Sequence, residues 1–130
     1  MKTDEPNAYS TVLYIKKDGF KGLFTGDVDG DGQALLRDYI KENKDEFSNI
    51  TFLKVAHHGS RYTTDEEFSK IINPRISIIS CGINNRYRHP HKELIQRLEN
   101  TGSGIYITAQ KGAVITSLQA DKLKIKTCID

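Results

Sequence analysis

The four histidines of the sequence all fall in two short stretches, His57-His58 and His89-Pro90-His91. Both stretches lie in loops, directly after a segment that reads as a strand or before one that reads as a helix. Asp27 is placed the same way, just after the run Phe20 to Thr25. Carboxylate and neutral imidazole are both good ligands for zinc, manganese or iron, so these residues form a candidate set for a divalent metal. Taken singly, each is equally suited to a local hydrogen bond in a loop. Taken together, Asp and His gathered at successive strand ends point to metal chemistry, because α/β sheets build their sites there.

Other chemistries compete for the same residues. Asp27, Asp29, Asp31 and Gly32 have the spacing of the first half of an EF-hand calcium loop, with Asp38 at the twelfth position. The preceding segment reads as a strand instead of a helix, Leu35 stands at the ninth position, and a helix through Gln33 to Ile40 would pull the ligands apart. Calcium binding is the alternative at this loop. Ser60 beside His57 and His58 supplies residue types of a serine hydrolase, but there is no GxSxG nucleophile elbow. Lys54, Arg61, Tyr62, Arg86, Tyr87, Arg88 and Lys92 cluster around both histidine stretches, where they would attract a phosphate backbone or form a solvated charged rim.

The elements that must position these residues follow from periodicity. Ser10 to Ile15 and Phe20 to Thr25 read as a hairpin turned at Lys17, Asp18 and Gly19. Leu35, Leu36, Tyr39 and Ile40 have helical spacing, with Asp31 as N-cap and an end near Asn43. A strand from Phe52 to Ala56 runs into the first histidine stretch. Thr64 and Glu67 have capping-box spacing for a helix to about Ile72, ahead of Pro74. Ile76 to Ser80 is a buried-type strand, and Pro90 suits the first turn of a helix carrying Leu94, Ile95 and Leu98, with Gly102 at its C-cap. Ile105 to Thr108, Ala113 to Leu118 and Leu123 to Ile129 read as a closing antiparallel meander, and the N-terminal six residues as frayed. The order is that of a mixed α/β fold with helices packed on a sheet.

Composition sets the outer bounds. A chain of 130 residues makes one domain, residues 1–130, and hydrophobic and charged fractions of 37% and 28% are those of an ordinary globular protein. The net charge of +2 does not by itself imply a polyanionic partner. No apolar run approaches membrane-spanning length, and Met1 to Ser10 has no signal-peptide core. Cys81 and Cys128 lack CxxC spacing, which excludes a cysteine-built zinc site and leaves free thiols or a single bridge.

The succession NAYSTVLYI, LFTGDVDGDGQALL, FLKVAHHGS, IISCGINNRYRHPHKELIQRL and GIYITAQKGAV resembles the C-terminal metallo-β-lactamase-like domain of the competence protein ComEC family. The LKVAHHGS and HP blocks are its most specific parts. The resemblance implies half of an αββα sandwich, a mixed sheet with helices on one face. It implies a metal-dependent hydrolase, a DNA nuclease or phosphodiesterase linked to DNA uptake. By the same resemblance Asp27 is a metal-bridging carboxylate and His57 a metal ligand. His58 is a catalytic residue that supports the ligand or touches substrate, the doublet leaving open which of His57 and His58 is the ligand; His89 is a catalytic residue lining the site, and Ser60 and Asn85 contact substrate. Gln33, Arg88 and Ala109 depart from the residues usual in the family, which are Glu, Gly and Asp.

The superfamily's HxHxDH motif, which brings most of the ligands, is absent, since no histidine precedes His57. The resemblance therefore covers only the C-terminal half of the domain. The expectations are a chain inactive alone, with weak or no binding of zinc or manganese, and with the N-terminal half and DNA or another phosphodiester as partners. A homo-oligomer is expected to cover the sheet face lined by Val12, Tyr14, Leu23 and Val55. The expected location is the cytoplasm for a stand-alone chain, or the extracytoplasmic face of the cell membrane within a ComEC-like protein. The alternative from another class is a non-catalytic module that binds nucleic acid or calcium.

Overall fold

Strands β1 (Leu13–Lys17) and β2 (Phe20–Phe24) pair antiparallel. Their turn is Asp18-Gly19, with φ of 48° and 83°, and two successive positive φ values are what a tight hairpin turn requires. The structure, a computed structural model, describes residues 6–130; of the six residues expected to fray, the first five lie outside them, while Pro6 opens a 3-10 turn, Pro6–Tyr9. From β2 the chain crosses through helices α1 (Gly30–Glu42) and α2 (Lys44–Phe47) to β3 (Phe52–Lys54). It crosses through α3 (Glu66–Ile72) to β4 (Ile76–Ile79), and through α4 (Lys92–Glu99) to β5 (Gly104–Ile107). The sheet order is β1-β2-β3-β4-β5, with β2 to β5 parallel. A short helix α5 (Thr108–Lys111) leads to a separate hairpin, β6 (Val114–Gln119) and β7 (Lys122–Thr127).

All the crossovers place their helices on one face of the sheet, as expected for half of a four-layered sandwich. Leu23, Leu53 and Ile79 point into this face and form one core with Ile40, Phe47, Phe68, Ile72, Leu94 and Leu98. In parallel strands one parity faces the helices and the other faces away. The outward parity carries Leu13 and Ile15, then Phe20 and Phe24, Phe52 and Lys54, Ile76 and Ile78.

Several boundaries differ from expectation for local reasons. Helix α1 starts two residues early, with Asp29 at its N-cap in place of Asp31. The capping box is not formed: Asp65 is the N-cap of α3 and accepts from Phe68 N–H, while Thr64 sits at φ 50°. Pro90 precedes α4, whose N-cap is His91. The closing meander is reduced to β6 and β7, because β5 joins the main sheet parallel to β4. The sheet face of Val12, Tyr14, Leu23 and Val55 is not free for self-association: Leu23 and Val55 are core residues, with Val12 and Tyr14 packed against them. Cys81 and Cys128 are unpaired thiols. Among the described residues no helix is long and apolar enough to cross a membrane.

Candidate functional site

Because β2 to β5 are parallel, their C-terminal ends open on one edge of the sheet, and the loops bearing Asp27, His57-His58 and His89 stand side by side there. Backbone bonds fasten them in sequence. His57 N–H donates to Gly26 O at 2.9 Å and His91 N–H to Gly59 O at 3.0 Å. Thr25 Oγ1 donates to Lys54 O at 2.7 Å. Gly59 has φ +84°, and a Cβ on it would lie 2.7 Å from Pro90 Cβ, so only glycine lets the two histidine loops meet this closely. His57 and His58 themselves hold left-handed backbone, φ 46° and 54°. Such strain costs about 1 kcal/mol or more per residue and gathers at functional sites.

The two histidines of the doublet have different neighbours. His58 Nδ1 lies 2.8 Å from Ser80 O, and a carbonyl only accepts, so Nδ1 carries a proton, which in the neutral ring leaves the lone pair on Nε2. That Nε2 is 3.8 Å from Asp27 Oδ1, with both side chains about half exposed. His57 Nδ1 is 3.1 Å from Asp29 Oδ2, which also accepts from Asn7 Nδ2 at 3.1 Å. Asp29 therefore favours a proton on Nδ1 of His57 as well, and the neutral form of the ring has Nε2 as its acceptor.

His89 completes the cluster. Its ring centre is 5.7 Å from that of His57 and 6.3 Å from that of His58, nearly parallel to the latter. Burial, and then the neighbouring His91, His57 and His58, push its pKa below the ordinary histidine value. His91 differs: its Nδ1 accepts from Arg61 N–H at 2.9 Å and its Nε2 faces Tyr87 O at 3.1 Å. Both nitrogens are used, and the ring is a strut between two loops.

Asn85 and Ser60 are engaged within the loops themselves. Asn85 Oδ1 accepts from His89 N–H at 2.8 Å, and its Nδ2 donates to Gly82 O at 3.0 Å and His89 O at 2.6 Å. Ser60 is buried, and its hydroxyl accepts from Tyr62 N–H at 3.3 Å. Asn85 thus has its amide oxygen and nitrogen committed within its own loop, and Ser60 lies beneath the surface. In the first loop α1 begins at Gly30 and sets Asp31 and Asp38 about two helical turns apart, with Asp38 beside Arg37, an arrangement unlike the looped ligand set of an EF-hand.

Burial lowers the pKa of Lys54, against the opposing pull of Asp27 and Cys81. The ammonium also donates to Val55 O at 3.0 Å. The rim is aromatic and basic: Tyr62 and Tyr87 are exposed, and Arg61 pairs with Glu93 at 3.0 Å. Among the described residues no group of three His, Cys, Asp or Glu side chains converges on a metal position. Sequence reasoning passed over Asn7, whose partner is 22 residues away, and grouped His91 with the candidate metal histidines, missing its bond to Arg61 30 residues away. It noticed Asp29 only as part of a calcium loop.

No family model matches the chain. Three curated proteins are similar to it. ComE operon protein 3 of Bacillus subtilis is 37% identical over 83% of this chain and 13% of its own length. Recombination protein 2 of Haemophilus influenzae is 28% identical over 95% of the chain and 15% of its own length. Competence protein ComA of Neisseria gonorrhoeae is 29% identical over 87% of the chain and 16% of its own length. The chain thus spans about a seventh of these relatives, and what it shares with them is a likeness to competence-related proteins.

Proposed function

We propose that the chain is the C-terminal half of a metal-dependent phosphodiesterase centre acting on DNA in competence, with Asp27 and His58 as the metal ligands it contributes. One observation carries this reading: the Ser80 carbonyl fixes the His58 tautomer so that its Nε2 lone pair faces the Asp27 carboxylate at 3.8 Å. Two oxygen and nitrogen donors of this kind fit zinc or manganese. The doublet's other member, His57, was the ligand implied by family resemblance; the contact with Asp27 favours His58.

A divalent cation in this position would supply a Lewis acid for a phosphoryl oxygen. The chain's own groups do the rest. Asp29 holds His57 with Nε2 free to accept a proton, and His89, kept neutral by burial and its neighbours, lines the same opening. Asn85 positions the His89 backbone. Further ligands are expected from a segment carrying HxHxDH, which in this reading packs over the outward sheet face. The likeness to Competence protein ComA and the basic rim make DNA the proposed substrate.

Reconstitution tests this. Supplied with an HxHxDH-bearing half, in cis or as a separate chain, the domain should bind two metals and cleave bis(p-nitrophenyl) phosphate and linear DNA. Asp27→Ala should abolish cleavage, His58→Ala should lower metal content, and His57→Ala and His89→Ala should slow turnover with metal retained. A reconstituted domain that holds two metals and cleaves no phosphodiester would leave a binding module as the better description.

A further inference from the structure

Resting on that reading, the geometry points to the form of nucleic acid the site takes. We propose that Tyr62 and Tyr87 are stacking platforms for unpaired bases, one on each side of the histidine cluster, so that the site takes single strands.

Both rings are presented to solvent, Tyr62 at 75% and Tyr87 at 65% exposure. Tyr87 is nevertheless held in place: its ring is nearly parallel to that of His89, at 5.6 Å between centres and 22° between planes. It thereby extends the imidazole pair of His89 and His58 outward. The Arg86 guanidinium lies 5.7 Å from its centre, a flexible cation able to move onto a stacked base. Tyr62 stands on the other flank, where with Asn7, Asp29 and Gly30 it lines a hollow of about 550 Å³ beside His57. A hollow of that volume is in the range of small-ligand sites.

One imidazole sets the spacing of the two platforms. His91 accepts from the backbone of Arg61, next to Tyr62, and donates to the backbone carbonyl of Tyr87. The two aromatic segments are thus fixed to each other through a ring with no other bond to make. Aromatic faces with interleaved arginines are the means by which proteins hold single strands, because every base offers a π-face. In a duplex those faces are already stacked, and only phosphates and groove edges remain to be touched.

Binding without metal tests the proposal apart from cleavage. A fluorescein-labelled 12-mer oligothymidylate, a 12-mer abasic strand with the same phosphates and a 12-base-pair duplex are titrated with the full chain in EDTA. The oligothymidylate should bind at least tenfold more tightly than the abasic strand, and more tightly than the duplex. Tyr62→Ala and Tyr87→Ala should each weaken oligothymidylate binding about tenfold and leave the abasic strand unchanged, while Tyr62→Phe and Tyr87→Phe keep it. Equal binding of oligothymidylate and abasic strand, alanine variants without effect, or absence of binding to any strand would overturn stacking. Cleavage of bis(p-nitrophenyl) phosphate, which has no bases, judges the phosphodiesterase reading separately.

Discussion

The two faces of the five-stranded sheet are made from alternate residues of the same strands, yet they differ in finish. On the helix-covered face Leu23, Leu53 and Ile79 are at most 1% exposed. On the other, Leu13 and Ile15 are 52% and 42% exposed, and the three rings Phe20, Phe24 and Phe52 meet at 5.2 to 6.3 Å while only half buried. Strand β4, the neighbour of edge strand β5, is the exception, with Ile76 and Ile78 buried on the outward side as well. The difference teaches that one face carries the fold and the other is a surface closed at β4 and left open towards β1.

Adjacent residues of β3 break or sharpen this contrast most strongly. Leu53→Ala removes a fully buried side chain from the core and should cost about 2 to 5 kcal/mol. Phe52→Ala, one position earlier on the outward face, loses mainly aromatic contacts and should cost about 1 kcal/mol. Urea unfolding midpoints measure both. Equal losses would mean that the outward face is covered as thoroughly as the inward one.

Cover from a second copy is the next effect in size. A contiguous apolar surface is seldom left open on a soluble monomer, so the isolated chain should associate through the outward face, with light scattering reporting a mass that rises with concentration. Leu13→Lys combined with Ile15→Lys places two charges on that face at positions already exposed, at little cost to the fold, and should return the chain to a monomer. A wild-type chain that stays monomeric at high concentration would refute association through this face.

The same contrast marks what could be read in the sequence. Alternation grouped Val12, Tyr14, Leu23 and Val55 correctly as one face, because side-chain parity is local. Which side the helices would cover is decided by the handedness of the crossovers, and no single strand encodes it. The candidate site shows the same division. Asp27, His57, His58 and His89 were legible as types at strand ends. The roles of Ser80 O, Asp29 and Asn7 depend on loops brought together from different crossovers. The N-caps were misplaced by one or two residues, since Asp29, Asp31, Thr64 and Asp65 are all competent caps and packing chose among them.

The smallest effect tests the faces at β1, where Tyr14 points inward and Ile15 outward. Tyr14 packs against Phe47 with the rings tilted by 56° at 4.8 Å between centres, and donates to Glu46 Oε1 at 2.9 Å. Burial, then the hydrogen bond to Glu46 and its charge, push the phenol pKa up to about 12 from 10.0. A phenol whose pKa is higher folded than unfolded stabilises the fold while protonated. That stability is complete below pH 10 and is lost as pH rises through 10 towards 12. Tyr14→Phe should therefore lie below wild type by about 0.5 to 1.5 kcal/mol near neutral pH, from the lost hydrogen bond, and the two curves should converge above pH 10. Ile15→Thr, on the outward face, should run parallel to wild type throughout. Lysines titrate in the same range, so the difference between the Tyr14→Phe and wild-type curves isolates the phenol. A constant difference up to pH 12 would place Tyr14 with the solvent-facing residues of β1 and remove the distinction between its two sides.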